Sequence, residues 1–419
     1  MDWTTDLRQL LATTAPMVRR GALMEATQAI QSALGGTRAQ RQMPAGPTAA
    51  ATPGAAAGAT AGPAAPEGRS AWAARFGRNW QPLRGQDAEV QDVDVVDHVA
   101  ARGRPAANDA PAAPSAKGLQ APGSFERVAF AAQPGATQDH YWLYVPTGAS
   151  SPGSAPMPLV LMLHGCTQNP QDFAIGTGMN GAAEAVNALV LYPAQSQQAN
   201  PKGCWNWFRP QDQARGGGEP ATLVAMVRDV MRRHAVDERR VYVAGLSAGG
   251  AMAALLGREY PELFAAVGVH SGLQAGAAHN VMGALSAMKN GAKQPAAPAG
   301  HVGASPPALI VFHGDADKTV HARNAQQLTD AALAARGPAA GKGAPQVQSG
   351  QSAAGQRYTR TLYRGAADAP VGAAVVEQWM LHGAGHAWAG GDARGSHTDP
   401  LGVNATQEML RFFLEHPRR

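Results

Sequence analysis

The segment VYVAGLSAGGAMAALL, residues 241–256, constrains this chain more than any other. It reads as a strand that stops at Gly245, turns at Leu246 and Ser247, and opens a helix at Ala248. Glycines at 245 and 249 leave room for the turn, because a side chain at either would collide with the neighbouring strand or helix. Ser247 is thereby held at a helix N-terminus, where backbone N–H groups can stabilise a developing oxyanion. The bare GxSxG pattern is weak in so glycine-rich a chain. The strand before it and the helix after it make it specific. The bland alternative is a tight turn with a capping serine.

A serine hydroxyl that attacks a carbonyl needs a base, and the base needs an acid to fix its tautomer. The turn at 245–249 resembles the nucleophile elbow of α/β-hydrolases, and that resemblance implies that these follow in the order acid, then histidine. ALIVFHGDADKTV ends a buried strand at His313 and offers Asp315 and Asp317 in the next turn; position alone admits both. WMLHGAGHAWAGG then supplies His382 and His386. His382 reads as strand end, whereas His386 lies in a Gly-flanked loop free to lean over Ser247. A second oxyanion donor is expected from the loop LMLHGCTQNPQDF, so that the amides of Cys166 and Ala248 form the hole. His164 in that loop is expected to order it through hydrogen bonds and not to take part in the chemistry.

The two cysteines, Cys166 and Cys204, both fall in loops near the serine, and a disulfide between them is expected, with two free thiols as the alternative. A metal site would need more ligands, and Cys166 lacks an elbow to make it a nucleophile. GCWNWF places Trp205, Trp207 and Phe208 in one of these loops. Such clusters are usually core, but the position brings Trp205 and Trp207 forward as substrate-binding candidates.

Around these motifs, short apolar runs alternate with helical stretches, the pattern of an α/β fold with a mostly parallel central sheet flanked by helices. Strands are predicted at 128–132, 140–145, 159–164, 189–192, 241–245, 265–270, 309–313 and 375–381. The first two read as an antiparallel pair, and the later, uniformly apolar runs as parallel. Residues 273–307 and 337–356 exceed ordinary loop lengths and read as insertions.

The catalytic domain is expected at 123–419 of the 419 residues. Before it, 1–40 reads as a short helical segment and 41–122 as Ala/Pro-rich linkers with a small island at 71–99, a largely disordered extension. The net charge of +5 comes from scattered arginines with no basic block, which argues against nucleic acid. No apolar run is long enough for a membrane span. The N-terminus carries an acid before its first basic residue and no apolar h-region, so it does not read as a secretory signal and points to the cytoplasm. Oligomeric state is not legible.

Six motifs together resemble the polyhydroxybutyrate depolymerase family of esterases, which also contains feruloyl and acetylxylan esterases. They are LHGCTQ at 163–168, GCWNWF at 203–208, RRVYVAGLSAGGAMAA at 239–254, FAAVGVHSG at 264–272, HGDADKTV at 313–320 and GAGHAWAGG at 383–391. The resemblance implies an α/β-hydrolase with Ser247 as nucleophile, Asp317 and not Asp315 as acid (HGxxDxxV), and His386 as base. It implies hydrolysis of a polyester, led by poly(3-hydroxybutyrate) or its oligomers, or of another bulky ester, without a cofactor, and an extracellular setting. The rival substrate class is a feruloyl or acetylxylan ester. A rival of another kind, a non-catalytic polymer-binding protein, would be expected to carry a damaged triad or elbow, and the sequence shows neither.

Overall fold

The computed structural model describes residues 121–418 apart from 132–136, 151–154, 294–304, 338–342 and 365–373. The expected N-terminal helices, linkers and island therefore lie outside the described residues, save for the last two linker positions.

Ten strands form one sheet in the order β1-β2-β4-β3-β5-β6-β7-β10-β9-β8. They are β1 (Ser124–Ala129), β2 (His140–Val145), β3 (Met157–Leu163), β4 (Leu189–Pro193), β5 (Val236–Leu246), β6 (Ala266–His270), β7 (Ala308–Gly314), β8 (Gln346–Gln351), β9 (Arg357–Arg364) and β10 (Ala374–Leu381). As expected, β1 and β2 are antiparallel, and β4, β3, β5, β6, β7 and β10 run parallel. The parallel strands are covered on both faces, which is why MPLVLML in β3 is buried at every position. Its side chains alternate between two cores: Leu159, Leu161 and Leu163 on one face, Val160 and Met162 on the other.

Helices α3 (Gly218–Arg233), α4 (Ala248–Glu259), α5 (Val281–Asn290) and α6 (Arg323–Ala335) pack on the first face through residues such as Leu223, Val227, Met252, Leu255, Ala287 and Leu328. Helices α1 (Pro170–Thr177), α2 (Met179–Ala185) and α7 (Ala405–Glu415) cover the second through Phe173, Met179, Met409 and Phe413. This is the α/β-hydrolase fold. Because β5, β7 and β10 are parallel, the chain leaves their carboxyl ends on one side of the sheet, and the motif loops gather there.

Two features differ from the expectation. The stretch 337–356 is not simply an insertion: β8 pairs antiparallel with β9, which pairs with β10, so a hairpin extends the sheet. The sequence QVQSGQ carries almost no apolar alternation, and β8 is exposed at nearly every position. It holds its place by backbone pairing at a sheet edge, which leaves no hydrophobic signature. The stretch 273–307 likewise contains α5. A further pair of short parallel strands, β11 (Trp388–Ala389) and β12 (Thr398–Asp399), shapes the loop after β10.

Candidate active site

Ser247 sits between β5 and α4 with φ 57° and ψ −117°, a conformation that L side chains rarely adopt. The strain is held from both sides: the Ser247 N–H donates to the His270 carbonyl at 2.9 Å, and its own carbonyl accepts from the Ala251 N–H at 2.9 Å. The flanking glycines are obligatory. A Cβ on Gly245 would lie 2.4 Å from the Gly249 backbone, and one on Gly249 would lie 2.0 Å from the Leu163 carbonyl of β3. The elbow can exist only where strand, helix and neighbouring strand touch backbone to backbone.

Asp317, in the turn after β7, has a fully buried side chain. Its Oδ1 accepts the Thr319 and Val320 amides at 2.9 and 2.8 Å, and its Oδ2 accepts from His386 Nδ1 at 2.7 Å. Burial pushes this carboxyl up, but the His386 bond and charge, together with the Val320 amide, outweigh it and hold the group below its usual range. A carboxylate that accepts from Nδ1 fixes the neutral imidazole with its proton there, leaving the Nε2 lone pair of His386 free to take a proton.

Asp315 points elsewhere. Its Oδ2 meets His382 Nδ1 at 2.8 Å and its Oδ1 accepts the Gly383 amide at 2.7 Å, while His382 Nε2 contacts Thr359 Oγ1 of β9 at 2.8 Å. The two aspartates allowed by sequence position thus form separate pairs, one buried and one with side chains 42% and 35% exposed.

The loop after β3 spends its amides in a particular way. Gly165 N–H goes to Gln168 Oε1, Thr167 N–H to the Lys202 carbonyl and Gln168 N–H to the Gly165 carbonyl. The Cys166 amide has no acceptor among the described residues. Ala248 is the first residue of α4, so its amide lacks an intrahelical partner. His164 orders this loop, as expected: Nδ1 donates to the Gly165 carbonyl at 2.8 Å and Nε2 accepts the Gln195 amide at 3.2 Å. Burial drives its pKa down to about 4, against a smaller opposing effect of the Gly165 carbonyl, so the ring is neutral.

Cys166 and Cys204 are joined in a disulfide, with Cα atoms 4.2 Å apart, that ties this loop to GCWNWF. The aromatic loop corrects one expectation. Trp205 has no exposed surface and donates its indole N–H to the His164 carbonyl at 3.1 Å, so it is core and buttresses the loop instead of facing a ligand. Trp207 retains 5% exposure.

Two residues missed in the sequence complete the surroundings. Glu219, at the start of α3, accepts from the Asn206 amide and side chain at 2.7 and 2.6 Å and from Gln195 Nε2 at 2.6 Å, bracing the aromatic loop. Burial lifts its pKa to about 7. His270 ends β6; its only sequence signal is a histidine closing a wholly apolar strand.

Residues 139–352 match the family described as esterase PHB depolymerase, a stretch that includes Ser247 and Asp317 and ends before His386. Poly(3-hydroxyalkanoate) depolymerase C of Paucimonas lemoignei is 34% identical over 209 residues, 48% of this chain and 49% of that protein. Feruloyl esterase B of Thermothelomyces thermophilus is 30% identical over 185 residues, 41% of this chain and 62% of that one. The chain thus spans about half to three-fifths of the length of these curated relatives. A solved acetyl xylan esterase from Aspergillus awamori shares the fold, with a TM-score of 0.55 at 20% identity over 70% of this chain and all of that one. With the match extending over half of its length, the chain belongs to the esterase PHB depolymerase family.

Proposed function

We propose that this protein is a serine esterase that hydrolyses poly(3-hydroxybutyrate) or its oligomers through an acyl-enzyme on Ser247. The observation that carries the reading is the buried Asp317–His386 hydrogen bond, which follows the strained Ser247 turn in the order acid, then histidine. In the reaction, His386 Nε2 takes the Ser247 proton as Oγ attacks the ester carbonyl. The amides of Cys166 and Ala248 receive the oxyanion. Collapse of the tetrahedral intermediate expels the alcohol, which takes the proton back from His386. Water, deprotonated by the same histidine, then attacks the acyl-enzyme, and the second tetrahedral intermediate collapses to release the acid as Ser247 Oγ takes the proton back from His386. Asp317 stays ionised throughout, orienting the ring and supporting the imidazolium.

The polyester reading draws on the family and on similarity to a poly(3-hydroxyalkanoate) depolymerase. Similarity to a feruloyl esterase and to acetylxylan esterase A of Aspergillus ficuum supports the second reading, a carbohydrate-ester hydrolase, which the same triad would serve. Product analysis on poly(3-hydroxybutyrate), set beside an aryl ester and a feruloyl ester, separates them. Release of hydroxybutyrate monomer or oligomers is expected; turnover of the feruloyl ester alone would overturn the polyester reading.

A further inference from the structure

We propose that His270 is a positioning residue for this reaction, one that holds the His386 loop in register with Ser247 through a neutral imidazole used as an acceptor. The inference rests on the triad reading above. His270 stands in a row across the sheet, with Leu246 of β5 on one side, Phe312 of β7 on the other, and Trp379 of β10 beyond. It therefore lies between the strand that delivers the nucleophile and the strands that deliver the acid and the base.

Both halves of the residue are engaged. Its carbonyl accepts the Ser247 amide at 2.9 Å, fixing the elbow. Its ring Nε2 accepts the Ala389 amide at 3.0 Å, in the loop that bears His386. A nitrogen that accepts an amide N–H carries no proton, so the ring proton sits on Nδ1, which faces Ser271 Oγ at 3.2 Å. The ring has no exposed surface and stacks with Trp388 at 5.2 Å and with Phe312 at 5.8 Å. The groups facing it are His313 on β7, His386, and Asp317 as the single anion; burial is the largest effect on its titration and keeps it neutral, with the two histidines adding to it and Asp317 opposing. A protonated ring would set N–H against N–H at Ala389 and release the loop.

The stacking alone could be supplied by any flat ring, so the acceptor is what distinguishes histidine here. His270→Phe keeps the stack and leaves the Ala389 amide unpaired. His270→Gln places Oε1 near the position of Nε2 and restores an acceptor, whereas His270→Asn is too short to reach.

The test uses the full chain and a soluble aryl ester, with steady-state kinetics across pH and thermal melting. In His270→Phe, kcat is expected to fall by roughly 10²-fold, the scale of a ~1 Å misplacement, with KM within about twofold. The acid limb of its kcat profile moves to lower pH, because a His386 ring drifting from Asp317 loses support for its imidazolium. His270→Gln recovers kcat to within about fivefold of wild type and restores the limb. The proposal is overturned if His270→Phe keeps kcat within about threefold, if its loss matches the loss of folded protein with the limb unmoved, or if Gln rescues no better than Phe. If the Phe variant fails to fold, Gln against Asn makes the same comparison, and equal activity in the two overturns it. Failure of the triad reading looks different: Ser247→Ala would keep turnover.

Discussion

Asp317 and His386 meet through a 2.7 Å hydrogen bond that joins the turn after β7 to the loop after β10, beside a second pair, Asp315 and His382, at 2.8 Å. The pairs differ in surroundings more than in geometry. Asp317 also takes two backbone amides and has no exposed side-chain surface, whereas Asp315 and His382 face solvent and tie the loop to Thr359 of β9. A buried carboxylate hydrogen-bonded to His386, with His313 Nε2 farther off at 3.5 Å, can fix the His386 tautomer; a half-exposed pair mainly ties chain segments together.

Asp317→Asn is accordingly expected to lower kcat on the order of 10⁴-fold, because its amide group would favour the wrong His386 tautomer. Asp315→Asn should stay within about tenfold of wild type and act mainly on loop stability. Steady-state kinetics on an aryl ester decides this, and an exchange of the two effects would reverse the assignment of the acid.

Ser247→Ala removes only the attacking oxygen, so activity should vanish while the melting temperature holds, and an organophosphonate should label Ser247 in the wild type alone. Gly249→Ala is the contrasting case. Its Cβ would lie 2.0 Å from the Leu163 carbonyl and 2.6 Å from the His164 carbonyl, both backbone atoms that cannot step aside. Destabilisation of about 3 kcal/mol or more is expected, read by denaturant unfolding or as loss of soluble protein. A stable Gly249→Ala protein would mean that β3 and α4 are not in backbone contact.

What could be read in the sequence followed the physics of each feature. The elbow was legible because its steric demand is met by glycine alone at 245 and 249. The buried strands were legible because both faces need apolar residues. Strand β8 was not, since an exposed edge strand carries no such demand. Trp205 and Trp207 share a motif, and only packing shows that both are buried in the same hydrophobic core, with 0% and 5% exposure. The His270 contact with Ala389 spans 119 residues, and local pattern carries no trace of it. The choice between Asp315 and Asp317 came from family resemblance; the separate partners of the two carboxylates give that choice a physical basis.

The Cys166–Cys204 bond closes a loop across a separation of 38 residues, worth about 3 to 4 kcal/mol in the entropic model. Protein purified without reductant should show no alkylatable thiol by mass spectrometry after denaturation. Reduction should lower the melting temperature and loosen the loop that presents the Cys166 amide, with kcat falling more than KM rises. Two free thiols in such a preparation would refute the bond, and unchanged kinetics after reduction would remove its role in the oxyanion loop.

The buried histidines set a pH dependence of stability whose sign can be worked out. His164 and His270 are held neutral by burial, with pKa values driven down to about 4 and about 3 from an ordinary value of 6.5. Between pH 4 and 6.5 the unfolded chain binds protons at both that the folded chain does not, so stability rises with pH through this window and levels off above it. Each such group contributes up to about 1.4 kcal/mol per pH unit. Glu219 opposes them: lifted from 4.5 to about 7, it holds a proton in the folded state that the unfolded chain has already lost, and its contribution falls as pH rises from 4.5 to 7. These three groups together give a net rise of about 1.4 kcal/mol per unit between pH 5 and 6, to which His313 and His416, also held low by burial, add in the same direction. Glu219→Gln removes the opposing group. That variant should be less stable by about 1–3 kcal/mol, since its amide N–H₂ faces the donors of Asn206 and Gln195, yet its stability should rise more steeply with pH. Urea unfolding of both proteins at pH 5, 6 and 7.5 measures the slopes. A flat or falling wild-type slope would show that His164 and His270 accept protons in the folded state, and an unchanged slope in Glu219→Gln would show that Glu219 is already ionised at pH 5.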